Sequence, residues 1–415
     1  MEKNWSKIKL SDCCEFQEGY VNPSQKNEEY FDGDVKWVRA VDLNNGYVYD
    51  TSRKLSQKGF ESAKKSAILF EPDTIVISKS GTIGKLGIIK DYMCGNRATI
   101  NIKPKDNVDM QYLFYALRNL QKILPGLAVG SVQKNLYVSI LQDLEIPFPS
   151  MDEQIAIADF IAAFDDKIDV NNKMNKNLEK QCKSIFDSWF VKYDGFDEPL
   201  IESPIGTRVP QSLKMIRIGS LPHVLETGKR PKGGAVDKGI PSVGAESVKG
   251  LGDFDPASTK FIPEEFAATL KKGKIEGYEL LLYKDGGKPG VFTPHCSMFG
   301  EGYPFDNFFI NEHVFKLDFG DRGLNEFAYF YFQTDYVVNW LAANGGKAAI
   351  PGINQNDVRE IWIYDFEHPM VRKFCGIVQP YFTEILKNLR QNLRIAEVRD
   401  MLLSKIYDGK ISVYD

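Results

Sequence analysis

The chain carries the same helical stripe twice, 217 residues apart. In both copies, mostly apolar residues recur at alternating intervals of four and three, which is typical of long helices packed along a narrow seam. An internal repeat constrains the architecture of a whole chain, so the stripes predict two long helices of matching form. The first stripe comprises Ile157, Ile161, Phe164, Ile168, Asn171, Asn175, Leu178, Cys182, Ile185 and Trp189, and the second Phe374, Val378, Tyr381, Ile385, Asn388, Asn392, Ile395, Arg399, Leu402 and Ile406.

Two successive asparagines interrupt each stripe, Asn171 and Asn175 in the first and Asn388 and Asn392 in the second. An asparagine in a seam costs stability but fixes register and partner choice. Two such pairs at matching positions indicate that the helices pair with each other. If they pair antiparallel, the four amides can hydrogen-bond to one another. The alternative is that this side of each helix faces water.

Composition excludes several classes of protein. A length of 415 residues with 43% hydrophobic content allows two or three domains with real cores. Because no apolar run could span a bilayer and the first residues are polar, we expect a cytoplasmic protein without signal peptide or membrane contact. The six cysteines form no C-x-x-C pair and the four histidines lie far apart, which favours reduced thiols and no metal site.

Net charge gives a mixed indication. The value for the whole chain is −4, which argues mildly against nucleic acid as a partner. Whole-chain charge hides local fields, however. Residues 72–105 hold six basic residues against two acidic ones. This segment is therefore a candidate basic surface.

Turn and strand signals divide the chain into five segments. Short β-rich runs bounded by Gly, Pro, Asn or Asp indicate two mostly β segments, and helices are expected over 109–120 and 325–342. Each long helix should follow a strand, at 141–146 and 358–363. The predicted segments are a globule over 1–150, a long central helix over 151–193, a linker over 194–212, a second globule over 213–368, and a long distal helix with a C-terminal tail over 369–415.

The two globules share a landmark in which a lysine follows an apolar strand and a Gly-rich turn leads to a second lysine. It occurs as TIVISKSGTIGK at 74–85 and as ELLLYKDGGKPG at 279–290. Lysines beside exposed backbone N–H groups suit phosphate contacts, and neighbouring polar side chains could reach base edges. The alternative is an ordinary hairpin that uses glycine for positive φ, with solvated charges. The candidate DNA-binding residues are Arg39, Lys79, Ser80, Thr82, Lys85, Arg97, Arg230, Lys232, Lys284, Asp285, Lys288 and His313.

Catalytic patterns are absent from the sequence. The turn from Gly81 to Lys85 has the wrong spacing for a phosphate loop, and Leu86 follows where Ser or Thr is needed. A nuclease-like pattern lacks its acid, because Ile77 occupies that position. No Rossmann glycine pattern, H-E-x-x-H or G-x-S-x-G occurs. A binding subunit is therefore favoured over an enzyme.

Several segments together resemble the specificity subunit of a type I restriction–modification system, and the resemblance covers nearly the whole chain. Its most specific part is the strand, Glu153-Gln154 and long-helix segment; Arg97 stands where the family often has Gln. The second helix opens with PMVRKF at 369–374 instead of Glu153-Gln154. The matching segments are WVRAVDL (37–43), IVISKSGTIGK (75–85), GSVQKNLYVSILQDLEIPFPSMDEQIAIADFIAAFDDKI (130–168), FDSWFV (186–191) and LLSKIYDGKISV (402–413).

The resemblance implies an α+β fold with two mostly β target-recognition domains, separated by two long antiparallel coiled-coil helices in a pseudo-twofold internal repeat. It implies a non-catalytic subunit that reads a bipartite target in double-stranded DNA, one half-site per domain, with the helices setting the gap. The partners would be two methyltransferase subunits using S-adenosylmethionine and restriction or motor subunits using ATP and magnesium. None of these cofactors would be held by this chain.

Two other functions stay open from the sequence. One is a structural or adaptor protein whose globules bind carbohydrate or protein. The other is an enzyme with a site assembled from distant residues.

The two Gly-rich turns differ, because Asp285-Gly286-Gly287 replaces Ser80-Gly81-Thr82. Base contacts are therefore not expected to transfer between the halves.

Overall fold

The computed structural model describes residues 5–130, 133–347 and 350–413. The chain forms two compact units: unit 1 combines Met1–Val170 with Arg394–Asp415, and unit 2 spans Asn171–Leu393. The boundary falls inside both long helices, so each unit contains part of each helix. The five sequence segments stay a prediction, and those over 1–150, 213–368 and 369–415 extend in part beyond the described residues.

The helices include two that are far longer than the rest. In chain order they are α1 (Leu10–Cys13), α2 (Gln57–Glu61), α3 (Met110–Leu120), α4 (Leu124–Leu127), α5 (Val138–Gln142), α6 (Met151–Phe190), α7 (Glu264–Thr269), α8 (Arg322–Tyr331), α9 (Asp335–Gly345), α10 (Gln355–Arg359) and α11 (Pro369–Tyr407).

The strands are short. In chain order they are β1 (Ser6–Lys9), β2 (Cys14–Glu18), β3 (Phe31–Val38), β4 (Gly46–Val48), β5 (Lys54–Leu55), β6 (Leu69–Phe70), β7 (Thr74–Ser78), β8 (Leu86–Ile89), β9 (Met93–Gly95), β10 (Thr99–Pro104), β11 (Glu145–Phe148), β12 (Leu200–Glu202), β13 (Arg208–Pro210), β14 (Met215–Arg217), β15 (Val224–Thr227), β16 (Ile240–Val243), β17 (Lys260–Ile262), β18 (Lys274–Ile275), β19 (Leu280–Tyr283), β20 (Cys296–Met298), β21 (Phe308–Ile310), β22 (Val314–Asp318) and β23 (Trp362–Tyr364).

Unit 1 is built on a five-stranded sheet in the order β2-β10-β7-β8-β4 and a four-stranded sheet in the order β5-β3-β9-β6. Every residue of β7 is buried, which explains its continuous apolar run. Helix α3 contributes a fully buried row, from Tyr112 to Leu117, to the same core. Strand β1 pairs antiparallel with β11. The first Gly-rich turn joins β7 to β8, which pair antiparallel as a hairpin.

Unit 2 repeats this strand order with its own sequence. Its sheets run β15-β22-β19-β20 and β17-β16-β21-β18, and β14 pairs antiparallel with β23. Among the described residues, the β15-β22-β19-β20 sheet has no strand equivalent to β4. The segment expected to be a linker contains the small hairpin of β12 and β13. The core is rich in aromatic rings, with Phe186, Phe327 and Phe374 in mutual contact.

The long helices run antiparallel, as expected, which two contacts within unit 2 show directly. In unit 1, Asp165 of α6 is bonded to Arg399 of α11. In unit 2, the Nδ2 atom of Asn171 donates to Oδ1 of Asn392 at 2.8 Å, and Nδ2 of Asn388 donates to Oδ1 of Asn175 at 2.9 Å. All four asparagines are buried instead of facing water. Their role in setting register stays a prediction.

Some local boundaries differ from the sequence expectation, and each has a local cause. The predicted helix over 325–342 is two helices, because Thr334 is extended and begins α9. The run 37–43 leaves the strand after Val38, since the backbone N–H of Arg39 donates to the Asp42 carboxylate at 2.9 Å and starts a short 3-10 turn.

The strands expected over 141–146 and 358–363 begin later, at β11 and β23, because α5 and α10 occupy their first residues. Asn354 stabilises the start of α10, since its side chain accepts bonds from the N–H groups of Asn356 and Asp357. The starts of α3 after Asp109 and of α6 after Ser150 are confirmed. No helix within the described ranges is long and apolar enough to cross a membrane.

Candidate nucleic-acid interface

The lysine that opens the unit 1 turn is held by its backbone. Lys79 N–H donates to the carbonyl of Ala98 at 2.8 Å, and its own carbonyl accepts from Leu136 N–H at 2.8 Å. Ala98 is in turn positioned by Asn96, whose Oδ1 accepts from the Ala98 N–H at 2.9 Å. Three separate stretches of chain therefore converge at the end of β7.

The corresponding lysine of unit 2 is held in the same way. Lys284 N–H donates to the carbonyl of His313 at 3.0 Å, and its carbonyl accepts from Ile353 N–H at 2.8 Å. Asn311 Oδ1 accepts from His313 N–H at 2.9 Å. Both units thus present a lysine and a Gly-rich turn on the same backbone frame, with different side chains around it.

The unit 1 turn is closed by Ser78, at the end of β7. Its hydroxyl donates to the carbonyl of Thr82 and accepts from the Lys85 N–H at 2.9 Å. Gly81 and Gly84 have φ of +74° and +84°, values that favour glycine. Within this fixed turn, Ser80 is half-buried and the Thr82 side chain is exposed. Thr82 is therefore the more accessible of the two polar candidates.

The three basic candidates around this turn differ in how free their charges are. Lys79 is paired with Glu18 at 2.8 Å and its side chain is only 13% exposed. Lys85 is half-buried and Arg97 is exposed, and neither side chain has a hydrogen-bond or ion-pair partner among the described residues. Arg97 and Lys85 are therefore the cations best able to meet a phosphate, while Lys79 is neutralised.

Arg39 is fixed beside the second sheet of unit 1. Its guanidinium donates to the Ser52 hydroxyl at 2.6 Å and lies over the Trp37 ring, 5.2 Å from the centroid. Asp42 is 3.6 Å from its Nε atom. These contacts give Arg39 a preset orientation. Its predicted contact with DNA stays a prediction.

In unit 2, four of the candidates form one charged cluster with Glu312. Lys284 Nζ lies 2.5 Å from Asp285 Oδ2, and Asp285 Oδ1 is bonded to His313 Nδ1. Glu312 Oε1 lies 3.2 Å from His313 Nε2 and 2.9 Å from Arg230 Nε. The cluster combines two cationic side chains, two carboxylates and one imidazole, so it offers little net charge.

Asp285 is the residue on which this cluster depends most. Burial raises its pKa, but hydrogen bonds from Lys284 and His313 outweigh that effect and hold the pKa below its ordinary value. The Asp285 carboxylate is therefore ionised at neutral pH and can only accept hydrogen bonds. A cytosine amino group is the base-edge donor that a carboxylate suits.

Lys232 and Lys288 are exposed, and the described residues supply no partner for either side chain. Lys288 lines a cleft of about 400 Å³ together with Lys249 and His295, which the sequence analysis did not single out. No signal in the sequence pointed to Lys249. Nothing in the sequence pointed to His295.

The described residues around the two Gly-rich turns form no metal-binding cluster. Within the described ranges, no group of three or more His, Cys, Asp or Glu residues could hold a metal ion. The candidate interface is therefore described by its side-chain cations and polar side chains. Such a surface can bind an anionic polymer and distinguish base edges.

Comparison with known proteins shows what this chain is similar to. Residues 2–180 match the family described as type I restriction modification DNA specificity domain. The MjaIX specificity subunit of Methanocaldococcus jannaschii is 28% identical over 99% of this chain and 94% of its own length. The HindI specificity subunit of Haemophilus influenzae is 26% identical over 75% and 79%.

A solved structure shares the fold. The crystal structure of the type I restriction–modification S subunit from M. genitalium aligns with a TM-score of 0.53 and 17% identity, covering 97% of this chain and 96% of that one. The resemblance noted in the sequence is confirmed: residues 2–180 match the specificity domain, and the relatives that span most of this chain are specificity subunits of type I restriction enzymes.

Proposed function

We propose that this chain is the sequence-specific DNA-binding subunit of a type I restriction–modification complex. It reads a bipartite target in double-stranded DNA, with one half-site recognised by each unit. It is not itself an enzyme. The observation that carries the proposal is the duplicated frame, in which Lys79 and Lys284 open equivalent turns on identical backbone hydrogen bonds.

Divergence on this common frame supports reading of two different half-sites. Unit 1 presents Thr82, Lys85 and Arg97 around its turn, whereas unit 2 presents Asp285 and Lys288. The backbone frame that is equal in both units fixes the position of each lysine and turn, and phosphate contacts made by such lysines carry no sequence information. Side chains that differ between them suit contacts to base edges, which do.

The partners follow from the family. We propose that the chain assembles with two methyltransferase subunits and with restriction or motor subunits in the cytoplasm. S-adenosylmethionine, ATP and magnesium belong to those partners in this proposal. The names of the relatives, all specificity subunits of type I restriction enzymes, support the assembly.

Mapping of methylated adenines and cytosines in host DNA, with and without this protein, tests the proposal. We expect one two-part motif whose methylation disappears when the protein is removed. A gel-shift assay with the methylating partner should then show binding of duplexes that carry both half-sites. If no duplex bound above the non-specific level while carbohydrate or protein bound instead, the chain would be an adaptor and the proposal would be wrong.

A further inference from the structure

We propose that the cleft of unit 2 beside the loop 284–295 holds one unstacked nucleotide of the bound DNA. Its ring would lie against Tyr283 and its phosphate near Lys249 and Lys288. This inference rests on the proposed function and adds a binding site to it. The lining residues are Ala245, Val248, Lys249, Tyr283, Gly286, Gly287, Lys288, Val291, Thr293 and His295.

Tyr283 provides a rigid aromatic wall. Its ring is stacked on Phe292 with centroids 5.5 Å apart and planes at 19°. Phe292 is 4% exposed and does not line the cleft, so it supports Tyr283 from the protein side. Gly345 makes room for this support, since a Cβ there would lie 2.5 Å from the Phe292 ring. A supported ring is a platform for a planar base.

Glycine keeps the cleft open at the turn. A Cβ on Gly286 would lie 2.4 Å from the Tyr283 hydroxyl, and the φ of Gly286 is +132°. The residue after it, Gly287, has φ of +100°. A side chain at Gly286 would therefore push the Tyr283 ring out of place. The cleft volume of about 400 Å³ lies in the range of pockets that enclose small molecules.

Charge makes the cleft suitable for a nucleotide instead of a neutral ring. Its lining includes Lys249, Lys288 and His295 but no carboxylate. None of the described residues pairs with the side chain of Lys249 or Lys288. The neighbouring Lys284 and His313, by contrast, are already bound to Asp285. Free positive charge therefore lies at the cleft and not beside it.

The equivalent turn of unit 1 offers no such platform. Ser78 occupies the strand position of Tyr283, and its hydroxyl closes the turn on Thr82 and Lys85. The unit 1 loop spans 79–85, whereas the unit 2 loop spans 284–295. We therefore expect an unstacked nucleotide in only one half-site, the one that unit 2 reads.

The test uses the full chain with its methylating partner and a duplex carrying the mapped target. 2-Aminopurine is placed at each adenine in turn, and permanganate reports each unstacked thymine. At guanine and cytosine positions, an abasic site tests whether binding depends on the base. We expect one position in one half-site to become unstacked through this chain. Tyr283→Ala should abolish that signal and weaken binding roughly tenfold, the loss expected of one base–aromatic stack.

Control variants separate this effect from misfolding. Tyr283→Phe keeps the ring and should keep the signal. Lys249→Ala combined with Lys288→Ala changes exposed side chains only and should weaken the signal without altering the circular dichroism spectrum. Lys271→Ala, an exposed lysine outside the cleft, should change neither. Signals caused by the methylating partner are those that persist with Tyr283→Ala.

Two outcomes distinguish this inference from the proposed function. If the duplex binds normally and every unstacking signal persists with Tyr283→Ala and with the double lysine variant, the cleft holds no nucleotide, although the chain still reads DNA. If no duplex binds specifically at all, the proposed function itself fails.

Discussion

At the scale of single residues, the most heavily charged buried site in unit 1 is Asp165. Its carboxylate is bonded to Arg399, lies 3.5 Å from the Arg118 guanidinium, and accepts from the Tyr115 hydroxyl at 2.9 Å. Burial and the charge of Arg399 lower the pKa of Arg118. Two buried guanidinium groups therefore depend on this carboxylate and on Asp400, which lies 2.9 Å from Arg399 Nε.

We expect Asp165→Ala to destabilise unit 1 by about 3–5 kcal/mol, because breaking a buried pair leaves charge uncompensated. Urea denaturation followed by hydrogen exchange on unit 1 amides would measure the loss. Asp159→Ala, which changes an exposed carboxylate on the same helix, should stay within about 0.5 kcal/mol. Replacing Asp165 and Arg399 together by leucine should recover part of the loss. Equal effects of Asp165→Ala and Asp159→Ala would contradict this account.

Glu326 makes the stability of unit 2 depend on pH. Its side chain is fully buried, and Arg322 donates to Oε1 at 2.6 Å. Its Oε2 atom has no hydrogen-bond partner within the described ranges. Burial raises the pKa of Glu326 to about 7, against the opposing effect of Arg322. Between its ordinary pKa and about 7 the folded state therefore binds more protons than the unfolded state.

The sign follows from proton linkage: stability falls as pH rises through this window and is level above it. The loss should be about 3 kcal/mol at 1.36 kcal/mol per pKa unit. Glu326→Gln should make the curve less steep between pH 5 and 7.5, whereas Glu265→Gln, on an exposed side chain, should not. Urea midpoints across this pH range give the measurement. A wild-type curve that rises over the window would refute the assignment to Glu326.

At the scale of elements, the hydrogen-bonded asparagines of the long helices in unit 2 can be tested with two double substitutions. Asn171 pairs with Asn392 and Asn388 pairs with Asn175. Asn171→Leu with Asn392→Leu removes one whole pair, which is close to neutral because no buried partner is left behind. Asn171→Leu with Asn388→Leu takes one member from each pair. It leaves Asn175 without its partner and Asn392 with only its bond to Asn172, and an unsatisfied buried amide costs about 1–3 kcal/mol.

The register prediction uses the second of these variants. We expect Asn171→Leu with Asn388→Leu to lower the denaturation midpoint and to relax register, so that duplexes with altered gaps between the half-sites bind more nearly equally. Each half-site should still be recognised. Gel shifts on duplexes that differ only in the gap give the measurement. An unchanged gap preference would show that the asparagines do not set the register of the helix pair.

The same helices show what the sequence can predict. Spacing alone gave the seam residues, all of which are buried or half-buried, because a helix repeats its face at a fixed interval. The starts of α3 and α6 could also be predicted, because Asp109 and Ser150 directly precede them. The partner of Lys79 could not be predicted, since Glu18 comes from a distant strand. The unit 2 cleft depends on how the loop 284–295 folds back, which no periodicity specifies.

At the scale of the whole molecule, each unit should contribute its own share of the salt dependence of DNA binding. Each phosphate contact makes the slope of log affinity against log salt more negative by about 0.9. Arg97 in unit 1 and Lys288 in unit 2 have no carboxylate partner among the described residues, whereas Lys79 is paired with Glu18. Free cations should therefore set the slope, and paired ones should not.

We expect Arg97→Ala and Lys288→Ala each to make that slope less negative by about one, and the double variant by about two, because contacts in separate units add. Lys79→Ala should leave the slope nearly unchanged while lowering stability, since it strands Glu18 beside the sheet. Equilibrium binding from low to high salt, on a duplex with the mapped target, gives all four slopes. A slope that drops with Lys79→Ala but not with Arg97→Ala would mean that Lys79 exchanges Glu18 for phosphate on binding. In that case, the cations that are unpaired in the absence of DNA would not be the ones that contact its phosphates.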